Sequence, residues 1–331
     1  MVSELDLLSV TIGIILALIT TFCFNLAIVF QKKGLREGMS TGSEIKIEEG
    51  LRSILKSFKG LFKNKSWMIG TLLGIIGWFP YIISIGLVGI IVTEPVMATG
   101  FIFFVIAANR MLGEKVGILE YVAIGMLTAS PVLIAFAGIS GVAFDLREFV
   151  IPLITFLIIT ISISFASFVV AKKTRGTSTE GLFIMFGGAL LFALGGIFTN
   201  ILAQAYIQAD IQISWYFPFE IIFGVFWFIF TSSYAHLWVF IGLWGMIIFN
   251  LSSVPFYQGG FQKGKVLVMY PILDSIALLL PIIAGLFVFK QTFVNYHLFV
   301  VAFVFIVIGT IILSKYQVAI ETMNIVKKMF Q

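Results

Sequence analysis

Long apolar stretches recur along this chain, and each is about the length that crosses the roughly 30 Å hydrocarbon core of a bilayer. Several of them are followed by short polar segments that carry Lys or Arg. The pattern predicts nine membrane-spanning helices. Their predicted bounds are 7–30, 67–89, 91–111, 118–138, 149–171, 181–206, 235–257, 266–289 and 296–314.

The distribution of basic residues predicts the topology. Nine Lys or Arg fall between residues 31 and 66, so the positive-inside rule places this segment in the cytoplasm. The N-terminus is then outside, and threading nine spans leaves the later basic clusters and residues 315–331 in the cytoplasm. We therefore expect a multi-pass protein of the plasma membrane.

A tenth apolar candidate covers residues 213–231 and is crowded with aromatic side chains. It contains Pro218 and Glu220. If this segment crossed the membrane, every later basic cluster would lie outside, against the same rule. We expect an interfacial or re-entrant helix on the outer face.

The cytoplasmic stretch at about 43–66 has a helical period of its own. Lysines occupy one side of that helix, which predicts an amphipathic surface anchor on the inner leaflet, with a docking or regulatory helix as the alternative. The apolar side is Ile47, Leu51, Ile54, Leu55, Phe58, Leu61 and Phe62.

Composition supports an all-α polytopic membrane protein. The chain is 60% hydrophobic and 11% charged, whereas soluble domains carry about 25% charged residues. With 2 His and the single Cys23, an intrachain disulfide is excluded and a Cys/His metal cluster is not expected. The net charge of +5 belongs to loops that flank apolar segments, so the basic residues are read as membrane anchors and not as a nucleic-acid surface.

The two halves of the chain share a repeated pattern of marker residues. The spacings between successive markers are 9, 6 and 19 in the first half and 9, 7 and 19 in the second. Span 67–89 runs outward and span 235–257 inward, so the pattern predicts two inverted repeats. The markers are Pro80, Gly89, Pro95 and Glu114, and then Pro255, Gly264, Pro271 and Lys290. The sequence GGALLFALGG at 187–196 additionally predicts close helix packing.

Three stretches resemble a known transporter superfamily: GIILALITTFCFNLAIVFQKKGL at 13–35, NRMLGEK at 109–115, and the run from YPILD to FVFKQ at 270–291. Through them the chain resembles the drug/metabolite transporter (DMT, EamA-like) superfamily, most closely its NIPA-like magnesium transporter branch. That branch also ends its first helix in KKGL and closes a short helix with LGEK.

The resemblance implies two inverted repeats around a central cavity that works by alternating access, with Mg²⁺ as the substrate. Residues 1–138 would form the first repeat, with four spans and the amphipathic helix. Residues 149–314 would form the second, with five spans and the aromatic segment, and 315–331 a cytoplasmic tail. The aromatic segment does not match the family pattern.

Asp274 is the clearest candidate for a substrate-binding or proton-coupling residue. Placing an ionisable group at the centre of a membrane span costs about 2.5 to 3.5 kcal/mol on insertion scales. Asp274 lies within a span, about one helical turn after Pro271. It would bind a cation or carry a proton; the alternative is a structural carboxylate that caps a helix fragment or pairs with Lys265. Glu94, before Pro95, is a second candidate carboxylate or a helix-dipole partner.

Further candidates supply amide oxygens, aromatic walls and helix breaks. The amides are equally explained as bonds between helices, and a single proline as a kink. Arg110, Glu114 and Lys115 are assigned to salt bridges or caps. The cavity candidates are Asn25, Asn200, Asn250, Gln258, Tyr81, Tyr257 and Tyr270, and the hinge candidates are Pro80, Pro95, Pro255, Pro271 and Pro281.

The leading hypothesis is a secondary transporter for a cation, magnesium by resemblance, with Asp274 and Glu94 as its metal ligands. The alternative is a proton-coupled exporter of small organic metabolites or drugs with the same fold, and a non-transporting receptor or scaffold is ranked third. No constellation for an enzyme and no cofactor fingerprint occurs, so the expected partners are membrane lipid and a small substrate, with Mg²⁺ as cargo and not as cofactor.

Overall fold

A computed structural model shows a helical bundle. It describes residues 7–40, 42, 45, 47–49, 51–88, 93, 96–97, 99–114, 117–140, 148–177, 179–211, 222–223, 226, 229 and 233–329. The described helices are α1 Leu7–Ser40, α2 Leu51–Leu61, α3 Lys65–Val88, α4 Phe101–Leu112, α5 Ile118–Ala137, α6 Val150–Lys173, α7 Glu180–Gln208, α8 Tyr234–Lys263, α9 Val266–Phe287 and α10 Tyr296–Met329.

Six of these helices, α1 and α6 to α10, are long and apolar enough to cross a membrane, and α4 and α5 contain shorter apolar stretches. The chain is therefore a membrane-embedded, polytopic helical protein. The count of nine spans stays a prediction. Most of the aromatic segment 213–231 lies outside the described residues.

Two helices extend well beyond their predicted apolar spans. Helix α1 continues from the predicted end at residue 30 to Ser40, and α10 continues through the expected tail to Met329. Hydropathy ends a span where the charges begin, but Lys, Arg and Glu are good helix formers. At the end of α1, Gly34 also packs against the backbone of Trp67, where a Cβ would lie 2.4 Å from its nitrogen.

The amphipathic stretch forms a helix that packs on the bundle. Helix α2 spans Leu51–Leu61, and a 3₁₀ turn spans Ile47–Glu49 before it. Leu61 is fully buried, and the Phe62 ring lies 5.1 Å from the ring of Trp67 on α3. Leu55 remains exposed, so part of the predicted apolar face is free to meet lipid.

The most extensive helix–helix contacts among the described residues join α1 to α3 and α7 to α8. Glycines let the backbones approach: a Cβ at Gly70 would lie 2.6 Å from the carbonyl oxygen of Ala27, and one at Gly188 would lie 2.8 Å from the backbone nitrogen of Tyr257. The close packing predicted from GGALLFALGG is thus confirmed.

Helices α5 and α10 pack on each other. Next to them the segments Ile139–Ser140 (β1) and Thr292–Phe293 (β2) pair antiparallel, with Ile139 opposite Phe293. The Phe293 ring stacks on Phe299 of α10 at 4.1 Å. This short ladder fixes the end of α5 to the start of α10.

Candidate functional site

A cavity of about 420 Å³ opens between α1, α3, α4, α5, α7 and α9. It is bordered midway along α1 and α9, so it lies inside the membrane-spanning part of the bundle. The lining residues are Thr21, Phe24, Asn25, Trp78, Tyr81, Met97, Phe101, Leu127, Thr128, Pro131, Phe192, Tyr270, Pro271, Asp274, Ala277 and Leu278.

Asp274 reaches this cavity from α9. Its neighbours Leu273, Ser275 and Ile276 are buried in the bundle, whereas Asp274 is exposed to the open space. One turn earlier, Tyr270 also lines the cavity. An intramembrane carboxylate that faces a hollow keeps access to water, which lowers the cost of its charge.

The Tyr270 ring is held in place by two phenylalanines of α4. It lies 6.0 Å from Phe101 in a stacked arrangement and 4.9 Å from Phe104. Phe104 is fully buried. Packing between α4 and α9 therefore fixes the wall next to Asp274.

Asn25, on α1, also borders this cavity. Its Nδ2 donates to the Thr21 carbonyl oxygen at 2.8 Å and to Thr21 Oγ1 at 2.9 Å, and Thr21 Oγ1 donates to the Met97 carbonyl at 2.7 Å. Because a carbonyl only accepts, the amide nitrogen must face Thr21. Asn25 is 5% exposed, and its Oδ1 has no hydrogen-bond partner among the described residues.

Aromatic rings form the wall between α1 and α3. Trp78 and Tyr81 lie 5.6 Å apart, and Phe24 lies 5.9 Å from Trp78, both as edge contacts. Gly77 lies directly against the Phe24 ring, where a Cβ would be 2.6 Å away. A side chain at position 77 would clash with that ring, which borders the cavity.

The predicted amides other than Asn25 do not line this cavity. Gln258 is buried and its Nε2 donates to Gln31 Oε1 at 2.7 Å. Asn250 donates to the Met246 carbonyl at 2.9 Å and lies against Gly195. Both hold helices together. Asn200 is half-buried on α7, also away from the cavity.

Tyr257 does not line the cavity and packs against neighbouring aromatic rings. Its ring makes edge contacts with Phe192 at 6.2 Å and Phe261 at 5.9 Å. Glu94 and Pro95 lie outside the described residues. Two of the three predicted tyrosines, Tyr81 and Tyr270, thus share the cavity with Asp274 and Asn25.

The predicted hinge prolines that the structure describes lie inside continuous helices. Pro80 is within α3, Pro255 within α8, and Pro271 and Pro281 within α9. Each removes one helical hydrogen bond without ending its helix. Pro271 lines the cavity, as does Pro131 of α5, which the sequence analysis did not select.

Charged residues gather at one end of the bundle, in what we call the basic-end layer: Lys32, Arg36, Glu114, Glu180 and Lys263. Lys32 is 4% exposed, and its Nζ donates to the carbonyls of Phe261 and, at 2.6 Å, of Gly264. An ammonium there satisfies the last carbonyls of α8 and opposes the negative end of its dipole.

Glu114 caps the start of α9 with its carboxylate. Its Oε2 accepts from the Leu267 backbone N–H at 3.1 Å, and its Oε1 lies 3.6 Å from Arg36 Nη2. Arg36 Nη1 also donates to the Leu112 carbonyl at 2.8 Å. These contacts agree with the predicted salt-bridge and capping role of Glu114. Lys115 lies outside the described residues.

Two side chains that carry oxygen acceptors border the cavity, the Asp274 carboxylate and the Asn25 amide; the Asn25 oxygen itself is buried. Mg²⁺ prefers such ligands and keeps several waters when it binds proteins. Among the described residues no group of three His, Cys, Asp or Glu could hold a metal alone.

Sequence analysis missed Thr21, Thr128 and the aromatic residues Phe24, Trp78, Phe101 and Phe192. A signal existed for Thr21, which lies one helical turn from Asn25 and shares its face. Aromatic residues in apolar spans are too frequent in this chain to mark a cavity wall.

Comparison of the chain with protein-family models, with curated proteins and with solved structures gave no match.

Proposed function

We propose that this protein is a secondary transporter that moves a cation through the bundle by alternating access, with Asp274 as the charged ligand. The observation that carries the proposal is the 420 Å³ cavity lined by both Asp274 and Asn25. A buried hollow with a retained carboxylate is the arrangement expected of an ion path. Magnesium is the first cargo to test because both ligands are hard oxygens.

The pairing of helices supports two related halves. In the first half, α1 packs with α3 and with α4; in the second, α7 packs with α8 and with α9. The chain order of the partners is the same in both sets. The last helices, α5 and α10, pack on each other. This correspondence is what two repeats around a shared centre would give.

The basic-end layer supports a gate at that end. Lys32 of α1 binds the end of α8, and Gln31 binds Gln258 of the same helix. Glu114 joins α4 to the start of α9. The layer ties the first half to the second beneath the cavity, so transport would require these bonds to separate during each cycle.

The proposal is tested by flux in proteoliposomes loaded with a Mg²⁺-sensitive dye. Wild-type protein should carry Mg²⁺ along its gradient, and Asp274→Asn should lose that flux. The matched control is Asp210→Asn, the same substitution at an exposed residue of the turn after α7. Its positive φ of 52° suits Asn. Equal flux in wild type and Asp274→Asn would contradict the proposal.

The aromatic wall favours a second candidate, a proton-coupled exporter of small organic molecules. Phe24, Trp78, Tyr81, Phe192 and Tyr270 border a volume within the range of small-molecule sites. Here Asp274 would exchange a proton with the cargo. A substrate screen with and without a pH gradient separates the two: Mg²⁺ flux that ignores the gradient favours the cation, and gradient-driven organic efflux favours the exporter.

A further inference from the structure

The outward face of α2 has a different chemistry from the face that packs on the bundle. On the packed side, Ile54 and Leu61 are buried, and the Phe58 ring lies 6.0 Å from the ring of Trp67 on α3. The outward side carries exposed cations at the end of α2 and along its length. They are Arg52, Lys56, Lys59 and Lys63.

The spacing of these cations places them in one stripe. Each helical residue is rotated by about 100° from the one before it, so positions 52, 56, 59 and 63 fall within about 60° of one another. Backbone bonds from Phe62 to Phe58 and from Lys63 to Gly60 continue the turn past the end of α2. Residues 50–66 contain no Asp or Glu, so this segment supplies no carboxylate against the stripe.

An apolar edge runs beside the cationic stripe. Leu55 is 61% exposed and Phe62 is 57% exposed. The two positions lie about 20° apart around the helix, between the cations and the packed face. A soluble polyanion would meet the cations alone, whereas a bilayer surface can take the apolar edge below its headgroups and the cations beside its phosphates.

Contacts of the segment before α2 fix it to the end of a membrane-spanning helix. The Ile45 N–H donates to Gln262 Oε1 at 2.9 Å, one residue before α8 ends at Lys263. Ile47 packs on the same helix, where a Cβ at Gly259 would lie 2.9 Å from its Cδ1. Helix α2 therefore begins next to the end of an apolar span, which is where lipid headgroups lie.

We propose that the outward face of α2 docks on the anionic surface of the adjoining membrane leaflet. The four cations meet lipid phosphates, and the edge formed by Leu55 and Phe62 enters the upper part of the acyl chains. Because Ile45 and Ile47 contact α8, docking joins the charge of the leaflet to the end of that helix. The inference concerns the lipid-facing surface and holds for any cargo of the central cavity.

An environment-sensitive dye on Leu55→Cys, in the full-length protein reconstituted in vesicles, tests the proposal; the natural Cys23 is buried. Dye emission should shift to the blue in equal parts phosphatidylglycerol and phosphatidylcholine, relative to phosphatidylcholine alone. Adding K56Q/K59Q should weaken docking about 30-fold and remove that difference. The matched control K172Q/K173Q, at two exposed lysines that end α6, should keep it. If K56Q/K59Q keeps the difference, or both variants lose it, the proposal falls.

Two further arms identify the partner and the force. Polyglutamate added to the phosphatidylcholine vesicles should leave the emission unchanged; a shift equal to that with phosphatidylglycerol would assign the face to an acidic protein and overturn the membrane. In about 1 M salt, where charges are screened beyond about 3 Å, the lipid-dependent shift should shrink. A shift that survives this salt contradicts docking through the cations.

Thermal unfolding in neutral detergent separates docking from a role in the fold. Lys56 and Lys59 are exposed, so K56Q/K59Q should unfold at the same temperature as the parent protein. A marked fall in Tm would make the two lysines structural residues and would overturn the proposal.

Discussion

The central cavity and the basic-end layer each contain a carboxylate, and the two carboxylates have different surroundings. Glu114 is 4% exposed and its oxygens meet a backbone N–H and an arginine. Asp274 is exposed in a cavity that Asn25 also borders, and Asn25 Oδ1 has no hydrogen-bond partner in the described part of the chain. The first carboxylate serves contacts between helices of the fold, whereas the second borders the cavity.

Polar and charged residues serve different purposes in these two regions, which composition alone cannot distinguish. In the basic-end layer, charges serve helix ends: Lys32 caps α8 and Glu114 caps α9. In the cavity, the hydrogen bond from Asn25 Nδ2 to the Thr21 carbonyl oxygen holds a side chain of the wall in place. Substitutions in the layer should therefore affect stability, and substitutions in the cavity should affect flux.

The largest effect is expected for Asp274→Asn. Removing the charged ligand should lower cation flux by roughly 100-fold, since a hydrogen bond or ion contact to a charged group contributes about 3 kcal/mol at the upper end. Tm should fall less than in Glu114→Gln, because the Asp274 side chain is exposed whereas Glu114 is buried. A variant with normal flux and a lowered Tm would make Asp274 a structural residue like Glu114.

Glu114→Gln should give the opposite pattern. It removes the charge from a buried contact with Arg36 and weakens the cap on α9, and we expect unfolding to become easier by about 2 kcal/mol. Thermal unfolding in detergent measures this. Glu148→Gln is the control, since Glu148 pairs with Lys290 at 3.4 Å but its side chain is 68% exposed, and there the change should be below about 0.5 kcal/mol.

Asn25→Leu sharpens the assignment within the cavity. Leu matches the size of Asn but supplies no acceptor, so flux should fall roughly fivefold, in line with about 1 kcal/mol for a neutral hydrogen bond. Asn250→Leu is the comparison at a residue that lies against Gly195. Flux that falls equally in both variants would show that loss of helix packing, and not loss of a ligand, explains the effect.

The smallest effect is expected from Lys33→Met on α1, and Lys32→Met at the neighbouring position is its comparison. Lys33→Met changes a side chain that is 43% exposed and lies 4.0 Å from Glu37, so stability should shift by less than about 0.5 kcal/mol. Lys32→Met removes the cap on α8 and should shift it more. If the two variants unfold at the same temperature, Lys32 does not stabilise the layer.

Much of the helix inventory could be predicted from the sequence, because apolar spans and charged ends are local signals. Helix α6, for example, begins and ends within two residues of the predicted 149–171. The predicted spans 7–30 and 296–314 mark only the apolar parts of α1 and α10, because Lys, Arg and Glu favour the helix and continue it beyond the apolar residues.

The candidate site was partly predictable. Asp274 stands out in the sequence because a carboxylate in an apolar span needs a reason. Asn25, Asn250 and Gln258 look alike in the sequence, since each is an amide in an apolar run. Their placement separates them: Asn25 borders the cavity, and Gln258 bonds to Gln31.

The sequence by itself determined that this chain is helical, that it lies in a membrane, and where its intramembrane charge sits, because burying backbone in lipid leaves few alternatives to the helix. The tertiary structure decided which faces of α1, α3 and α9 meet across one hollow and which charges cap helix ends. Those facts depend on contacts between residues such as Lys32 and Gly264, more than two hundred positions apart in the chain, and no local pattern encodes the rotation of one helix against another.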